Sequence, residues 1–257
     1  MADDESIPPL RLDQALVRAG LAPTRARAQA LIAAGVVEVD GMVAAKPAQR
    51  VTVDAALAVT GDPVPYVSRG ALKLKHVLDA FGLSPKGAVA LDLGASTGGF
   101  TQVLLERGAA EVWAIDVGHG QLAPELRADS RVRVIEGLNA RALHAGLVPP
   151  PDWITADLSF ISLAKALPPA MGLARPGAVL VALVKPQFEV GRAAVGKGGI
   201  VRDAGAAAAA RVGVAAFLRA AGWEILGETA SPILGGDGNA EFLIAARKPG
   251  SGGTDAA

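Results

Sequence analysis

Leu91-Asp92-Leu93-Gly94-Ala95-Ser96-Thr97-Gly98-Gly99-Phe100 lies between the apolar run Ala88-Val89-Ala90 and the segment Thr101-Gln102-Val103-Leu104-Leu105-Glu106-Arg107-Gly108. The run before it reads as a buried strand, and the segment after it as a helix stopped by Gly108. A strand, a glycine-rich turn and a helix bring backbone N–H groups and a helix N-terminus against a ligand at close range. The spacing is Gly-x-x-x-Gly-Gly, which departs from the Gly-x-Gly-x-x-Gly turn of dinucleotide sites. No Lys-Ser or Lys-Thr pair follows, as a P-loop requires. A backbone-lined pocket with Asp92 at its lip is the expectation.

Working outward, strands and helices alternate. Strands are expected near 88–93, 111–116, 131–135, 152–157, 178–184, 223–230 and 241–246, and helices near 98–107, 120–128, 139–145, 162–173 and 203–221. Continuous apolar strands such as Ala178 to Val184 indicate a mostly parallel α/β sheet covered on both faces. The last two strands have no helix between them, only Gly235-Gly236-Asp237-Gly238, so they should pair antiparallel. Upstream, Ser68 is expected to cap a helix with Leu74, Val77, Leu78 and Phe81 on one stripe and Gly82 at its end. Lys73 lies beside that stripe, either as a surface lysine or reaching toward a neighbouring site.

With 257 residues, 51% of them hydrophobic, the chain can bury a full core. No apolar run reaches the roughly 20 residues of a membrane span. The acidic start (Asp3, Asp4, Glu5) lacks the order of a secretory signal, so a cytoplasmic protein is expected. The absence of cysteine removes disulfides and thiolate chemistry, and the three histidines show no metal-ligand spacing. No metal is expected. Net charge is zero, yet basic residues gather before the glycine turn. That region is either a face for an anionic partner or a solvated helix surface.

Residues 10–20 form a short amphipathic helix, and Thr24 caps a second through Ala34, with Gly35 as its stop. Val36 to Val39, Asp40-Gly41 and Met42-Val43 signal a hairpin with a type I′ turn. Short strands near 51–53 and 57–59 complete the unit. Arg11-Leu12-Asp13, Gly20-Leu21, Thr24-Arg25-Ala26-Arg27-Ala28, Leu31-Ile32, Val39-Asp40-Gly41 and Lys46-Pro47 resemble the RNA-binding domain named after ribosomal small-subunit protein four. The resemblance implies that Arg25, Arg27 and Lys46 meet RNA phosphates, with Arg11 and, further on, Arg69 as additional RNA-binding candidates. The expected organisation is an RNA-binding domain over 10–60, a linker over 61–67, a catalytic domain over 68–248 and a disordered tail over 249–257.

In open α/β sheets ligands bind beyond the carboxyl ends of the strands. Those ends carry Asp92 with the glycine turn, then Asp116, a carboxylate 24 residues further on and suited to ribose hydroxyls. Asn139 follows the third strand and is a candidate for an adenine edge. Asp157-Leu158-Ser159-Phe160 and Lys185-Pro186-Gln187-Phe188-Glu189 follow the next two. With Tyr66 to Leu74 and Asn239-Ala240-Glu241-Phe242, these words resemble the class I S-adenosylmethionine-dependent methyltransferases of the FtsJ-like ribose 2′-O group. Together with the front module they resemble the TlyA, or haemolysin A, family.

The resemblance implies S-adenosyl-L-methionine as cofactor, held by Asp92, Gly94, Ser96, Thr97, Gly98, Gly99, Phe100, Asp116 and Asn139. It implies ribosomal RNA or ribosomal subunits as partner, with cytidine as target. It also implies a catalytic tetrad of Lys73, Asp157, Lys185 and Glu241, with Lys185 as base and Lys73 as second cation. Each has a plainer reading: a helix cap for Asp157, a lysine snorkelling from a strand end for Lys185, an edge-strand charge for Glu241. The tetrad suits the reaction, because a ribose hydroxyl is a poor nucleophile until its proton leaves. Cytosine carbon methylation commonly needs a cysteine, and amine methylation often an Asn-Pro-Pro-aromatic loop; neither is present. A non-enzymatic RNA-binding or membrane-active protein is the competing class.

Overall fold

The structure is a computed structural model that describes residues 9–33, 35–44, 46–60, 66–191, 195–235 and 238–250. The acidic start up to Pro8, the expected helix end at Ala34, the Gly61–Pro65 part of the linker, the centre of the Gly235–Gly238 turn and the tail from Ser251 lie outside these residues. The chain divides into two compact units, Met1–Pro65 and Tyr66–Ala257.

The first unit runs β1 (Leu10–Arg11), α1 (Leu12–Arg18), α2 (Arg25–Ala33), β2 (Val37–Val39), β3 (Met42–Val43), β4 (Arg50–Val51) and β5 (Leu57–Val59). Thr24 caps α2 as expected, its Oγ1 accepting the Arg27 N–H at 3.2 Å. Asp40 and Gly41 take φ of 52° and 77°, as a type I′ turn demands, and join β2 to β3. The structure adds β1, which pairs antiparallel with β4 through Leu10 with Val51 and Arg11 with Arg50; a two-residue strand bonded so far along the chain leaves no local signal. Leu12, Leu16, Ala28, Leu31, Ile32 and Val37 close the core of this unit.

The second unit opens with α3 (Gly70–Phe81) and continues β6 (Val89–Leu93), α4 (Gly99–Glu106), β7 (Glu111–Ile115), α5 (Pro124–Ala128), β8 (Val132–Ile135), β9 (Trp153–Ala156), α6 (Leu163–Ala166), α7 (Pro168–Leu173), β10 (Val179–Val184), α8 (Pro186–Glu189), α9 (Ala204–Ala220), β11 (Glu224–Ala230) and β12 (Phe242–Arg247). Seven strands form one sheet in the order β11-β12-β10-β9-β6-β7-β8, parallel except for β12, antiparallel to both neighbours. Strand alternation splits the core into two layers. Leu91, Leu93, Ile154 and Leu180 face α7 and α9, whereas Ala90, Val112, Val181 and Leu243 face α3 and α4.

Three expected helices differ. The stretch 162–173 breaks into α6 and α7 at Leu167-Pro168, because Pro168 has no N–H to carry the ladder onward. Residues 139–145 hold only one 3₁₀ turn, Ala140–Ala142, and α5 begins late, at Pro124. Ser68 does not cap α3. The helix starts at Gly70 without a side-chain cap, and Ser68 Oγ turns instead toward Gly99. Among the described residues no helix is long and apolar enough to cross a membrane.

Candidate active site

The glycine turn after β6 differs from its expected form at its first carboxylate. Asp92 is not at the lip of a pocket but fully buried. It shares a sheet face with Ala90, and the register sets it opposite Thr155 on β9 and under Thr101 on α4. Thr101 Oγ1 donates to Asp92 Oδ2 at 2.6 Å and Thr155 Oγ1 to Oδ1 at 3.0 Å. Asp92 thus ties strand, helix and neighbouring strand beneath the turn. Burial pushes its carboxyl up to about 6, against the two hydroxyl bonds that favour the charged form.

The native state therefore holds a proton at Asp92 that the unfolded chain has already released between about pH 4 and 6. Stability from this group is present below the unfolded value and falls as pH rises through about 6, by roughly 3 kcal/mol. The difference in urea midpoint between wild type and Asp92→Asn is expected to shift across that window in favour of the variant. A pH-independent difference would contradict it.

The glycines of the turn serve different neighbours. Gly94 (φ 81°) has no room for a Cβ, which would run into the backbone carbonyl of Asp157. Gly99 makes room for Ser68 Oγ. Gly98 (φ 100°) accommodates Leu122 and Leu126, and it borders neither cavity described below.

Two cavities meet at Gly94, Ser96 and Asp157. The larger, about 980 Å³, is bounded by Asp116, Gln121, Leu138 and Asn139 on one side and by Phe160 and Phe188 on the other. Asp116 Oδ2 accepts the Ser96 N–H at 2.8 Å and Oδ1 the Gly118 N–H at 2.7 Å, which fixes the carboxylate's orientation. Asn139 Oδ1 is taken up by the Arg141 N–H at 3.0 Å, leaving its amide NH₂ as the group for a ligand. Apolar Ile115, Leu138 and Ile161 line the same space. A carboxylate for hydroxyls, an amide for a base edge and apolar walls for its faces fit an adenosyl group. The smaller cavity, about 400 Å³, is bounded by Arg69, Lys73, Thr97, Gly99, Phe100 and Asp157.

The four expected tetrad residues form two ion pairs. Lys73 Nζ lies 2.5 Å from Glu241 Oε2, both side chains almost wholly buried. Lys185 Nζ lies 2.6 Å from Asp157 Oδ1 and donates to Ser159 Oγ at 3.0 Å. Lys73 and Asp157 face the smaller cavity, whereas Glu241 and Lys185 are their partners and border neither space. Asp157 Oδ2 lies near Gly70, at the start of the helix that carries Lys73, 3.8 Å from where a Cβ there would sit. Strand ends β9, β10 and β12 and helix α3 thus bring two cations and two carboxylates to one corner of the sheet. Sequence reasoning did not assign a role to Ser159, although it stands in the Asp157–Phe160 word. It also left Phe160 without one. That residue has a left-handed backbone (φ 64°), is 92% exposed, and its ring lies 5.1 Å from that of Phe188.

In the first unit, Arg11 and Arg25 both bond the buried carboxylate of Asp13. Arg27 lies in the first turn of α2, and Lys46 is exposed in the turn before β4. Arg69, in the second unit, is exposed at the N-cap of α3.

An open sheet with an antiparallel seventh strand, and a cavity at the strand ends whose lining suits an adenosyl group, defines a methyltransferase-type α/β unit. Residues 66–248 match the FtsJ-like methyltransferase model and residues 10–57 the S4 domain model. The chain is 50% identical over 239 residues to the 16S/23S rRNA (cytidine-2′-O)-methyltransferase TlyA of Mycobacterium tuberculosis, covering 91% of this chain and 88% of that protein. It is 38% identical over 236 residues to haemolysin A of Brachyspira hyodysenteriae, with 91% and 98% covered. The solved structure of a candidate haemolysin from Streptococcus thermophilus superposes with a TM-score of 0.75 at 40% identity, covering 98% of this chain and 92% of that one. The chain belongs to the FtsJ-like methyltransferase family, in its TlyA group with an N-terminal S4 domain.

Proposed function

We propose that this enzyme transfers a methyl group from S-adenosyl-L-methionine to a ribose 2′-hydroxyl of ribosomal RNA, with cytidine as the target nucleoside, in the cytoplasm where ribosomal RNA is made into ribosomes. The observation that carries this reading is the paired tetrad, Lys73–Glu241 and Lys185–Asp157, of which Lys73 and Asp157 line the smaller cavity beside the larger one. The name of the mycobacterial relative supports the choice of nucleoside.

Asp116, Asn139 and, from the turn, Gly94, Ser96, Thr97, Gly99 and Phe100 would hold the donor, which supplies an electrophilic methyl group on a sulfonium. Asp157 and Lys73 orient the ribose hydroxyl from the smaller cavity. Lys185 is the assigned base for the hydroxyl proton, and Asp157, which lines the cavity, and Ser159 hold its nitrogen just behind the cavity wall. Orientation of two reactants in one site contributes the remainder. The S4 unit supplies arginines and Lys46 for RNA phosphates, which hold the substrate without choosing the nucleotide.

The reading is tested by incubating the full chain with labelled donor and unmodified ribosomal RNA and mapping the product. Label on a cytidine 2′-oxygen is expected, while label on a base, or none with donor binding intact, would overturn it. The exposed Phe160 ring beside Phe188 is suited to stack a base turned out of the RNA. Phe160→Ala is accordingly expected to weaken RNA engagement by about 1–3 kcal/mol, raising KM for RNA, and, because the ring also borders the larger cavity, to change donor affinity by less than RNA affinity.

A further inference from the structure

The first unit contains a carboxylate that an RNA-binding surface would not be expected to tolerate. Asp13 is 0% exposed at the first turn of α1, on a helix otherwise held by Leu12, Ala15 and Leu16. Buried acids survive only when paired and fully hydrogen-bonded. Arg11 gives Asp13 a two-pronged contact at 3.1 Å to each oxygen, Arg25 adds one terminal nitrogen at 3.0 Å, and Gln29 Nε2 adds another donor at 2.8 Å. These contacts hold the Asp13 carboxyl well below the usual carboxylate range. The two guanidinium groups nonetheless keep side-chain exposures of 36% and 53%. A guanidinium has five N–H donors, so donors remain on the exposed side of each fork. The Asp13 backbone also participates, its N–H donating to the Pro47 carbonyl at 3.1 Å in the turn that carries Lys46.

We propose that Asp13 is a positioning residue of the RNA-binding surface: its buried carboxylate sets the forks of Arg11 and Arg25, and its N–H anchors the turn bearing Lys46. Cations from β1, α2 and the turn before β4 are thereby fixed before any phosphate arrives. Two arginine side chains then lose little rotational freedom on binding. This inference rests on the S4 unit binding RNA, as proposed above.

Its test turns on sign. Removing a negative charge from a phosphate-binding face should by electrostatics alone tighten RNA binding. Positioning demands the opposite. With the full chain and an unmodified ribosomal RNA transcript, Asp13→Asn is expected to weaken binding about tenfold at 0.1 M salt. The slope of log affinity against log salt should shrink by about 1.5, as two phosphate contacts are lost. In an Arg11→Ala/Arg25→Ala background the same change should do nothing further. Tighter or unchanged binding, or an equal loss in that background, overturns the proposal. Should Asp13→Asn fail to give a cooperative unfolding transition, Gln29→Ala decides. This exposed residue is dispensable to the core, and its removal should produce a smaller loss of the same kind, whereas unchanged affinity and slope overturn the proposal. If the wild-type chain does not bind the transcript, the RNA-binding reading itself fails, and this inference with it.

Discussion

Lys185→Ala is expected to lower methyl transfer by about 10²–10⁴-fold, the usual contribution of a positioned proton acceptor, with donor affinity changed by less than about twofold. The second half follows from location. Lys185 borders neither cavity, so its loss leaves the donor space as it was, while Asp157 and Ser159 lose the ammonium they hold. Lys185→Arg separates a base from an anchor. Arginine can keep the ion pair to Asp157 but cannot give up its proton in a protein. Single-turnover methylation with labelled donor should find both variants inactive. Near-wild-type turnover in Lys185→Arg would reduce the residue to an anchor, and unimpaired turnover in Lys185→Ala would remove it from the chemistry.

Glu241→Ala should lower stability by about 3–5 kcal/mol, because it strands the Lys73 ammonium in a nearly closed environment. The ion pair itself need not be a source of stability: removing both charges together, as in Lys73→Met/Glu241→Met, should return most of the loss. Activity should not return with it, since Lys73 is the tetrad cation that faces the smaller cavity. Urea unfolding of the three forms, with methylation assayed on each, checks both statements. A double variant as unstable as Glu241→Ala would mean that packing, not the stranded charge, sets the cost. A double variant with full activity would remove Lys73 from the site.

Much of this was legible in the chain because strand ends announce themselves. Asp116, Asp157 and Lys185 each follow an apolar run directly, and a parallel sheet gathers such ends along one edge. Gly235 to Gly238 and the missing helix before β12 announced the antiparallel finish. What was hidden depended on direction and distance. Asp92 follows an apolar run as Asp116 does, yet alternation turns it inward, and only the partner strand's Thr155 reveals that the inner face was polar enough to receive it. The pairing of Lys73 with Glu241 spans 168 residues and no local pattern encodes it. Pro168 was visible, but an amphipathic pattern running through it masked its effect on the ladder. The hold of Asp13 on Arg11 and Arg25 was hidden because a buried acid cannot be told from an exposed one by charge count.

The close approach of Gly94 to the Asp157 carbonyl means that the donor turn and the acidic loop lean on each other without an intervening side chain. A single added methyl at residue 94 would shift both walls at once, so its effect should appear in donor affinity and in turnover together. The joint at Gly94 thus couples the two walls of the site mechanically.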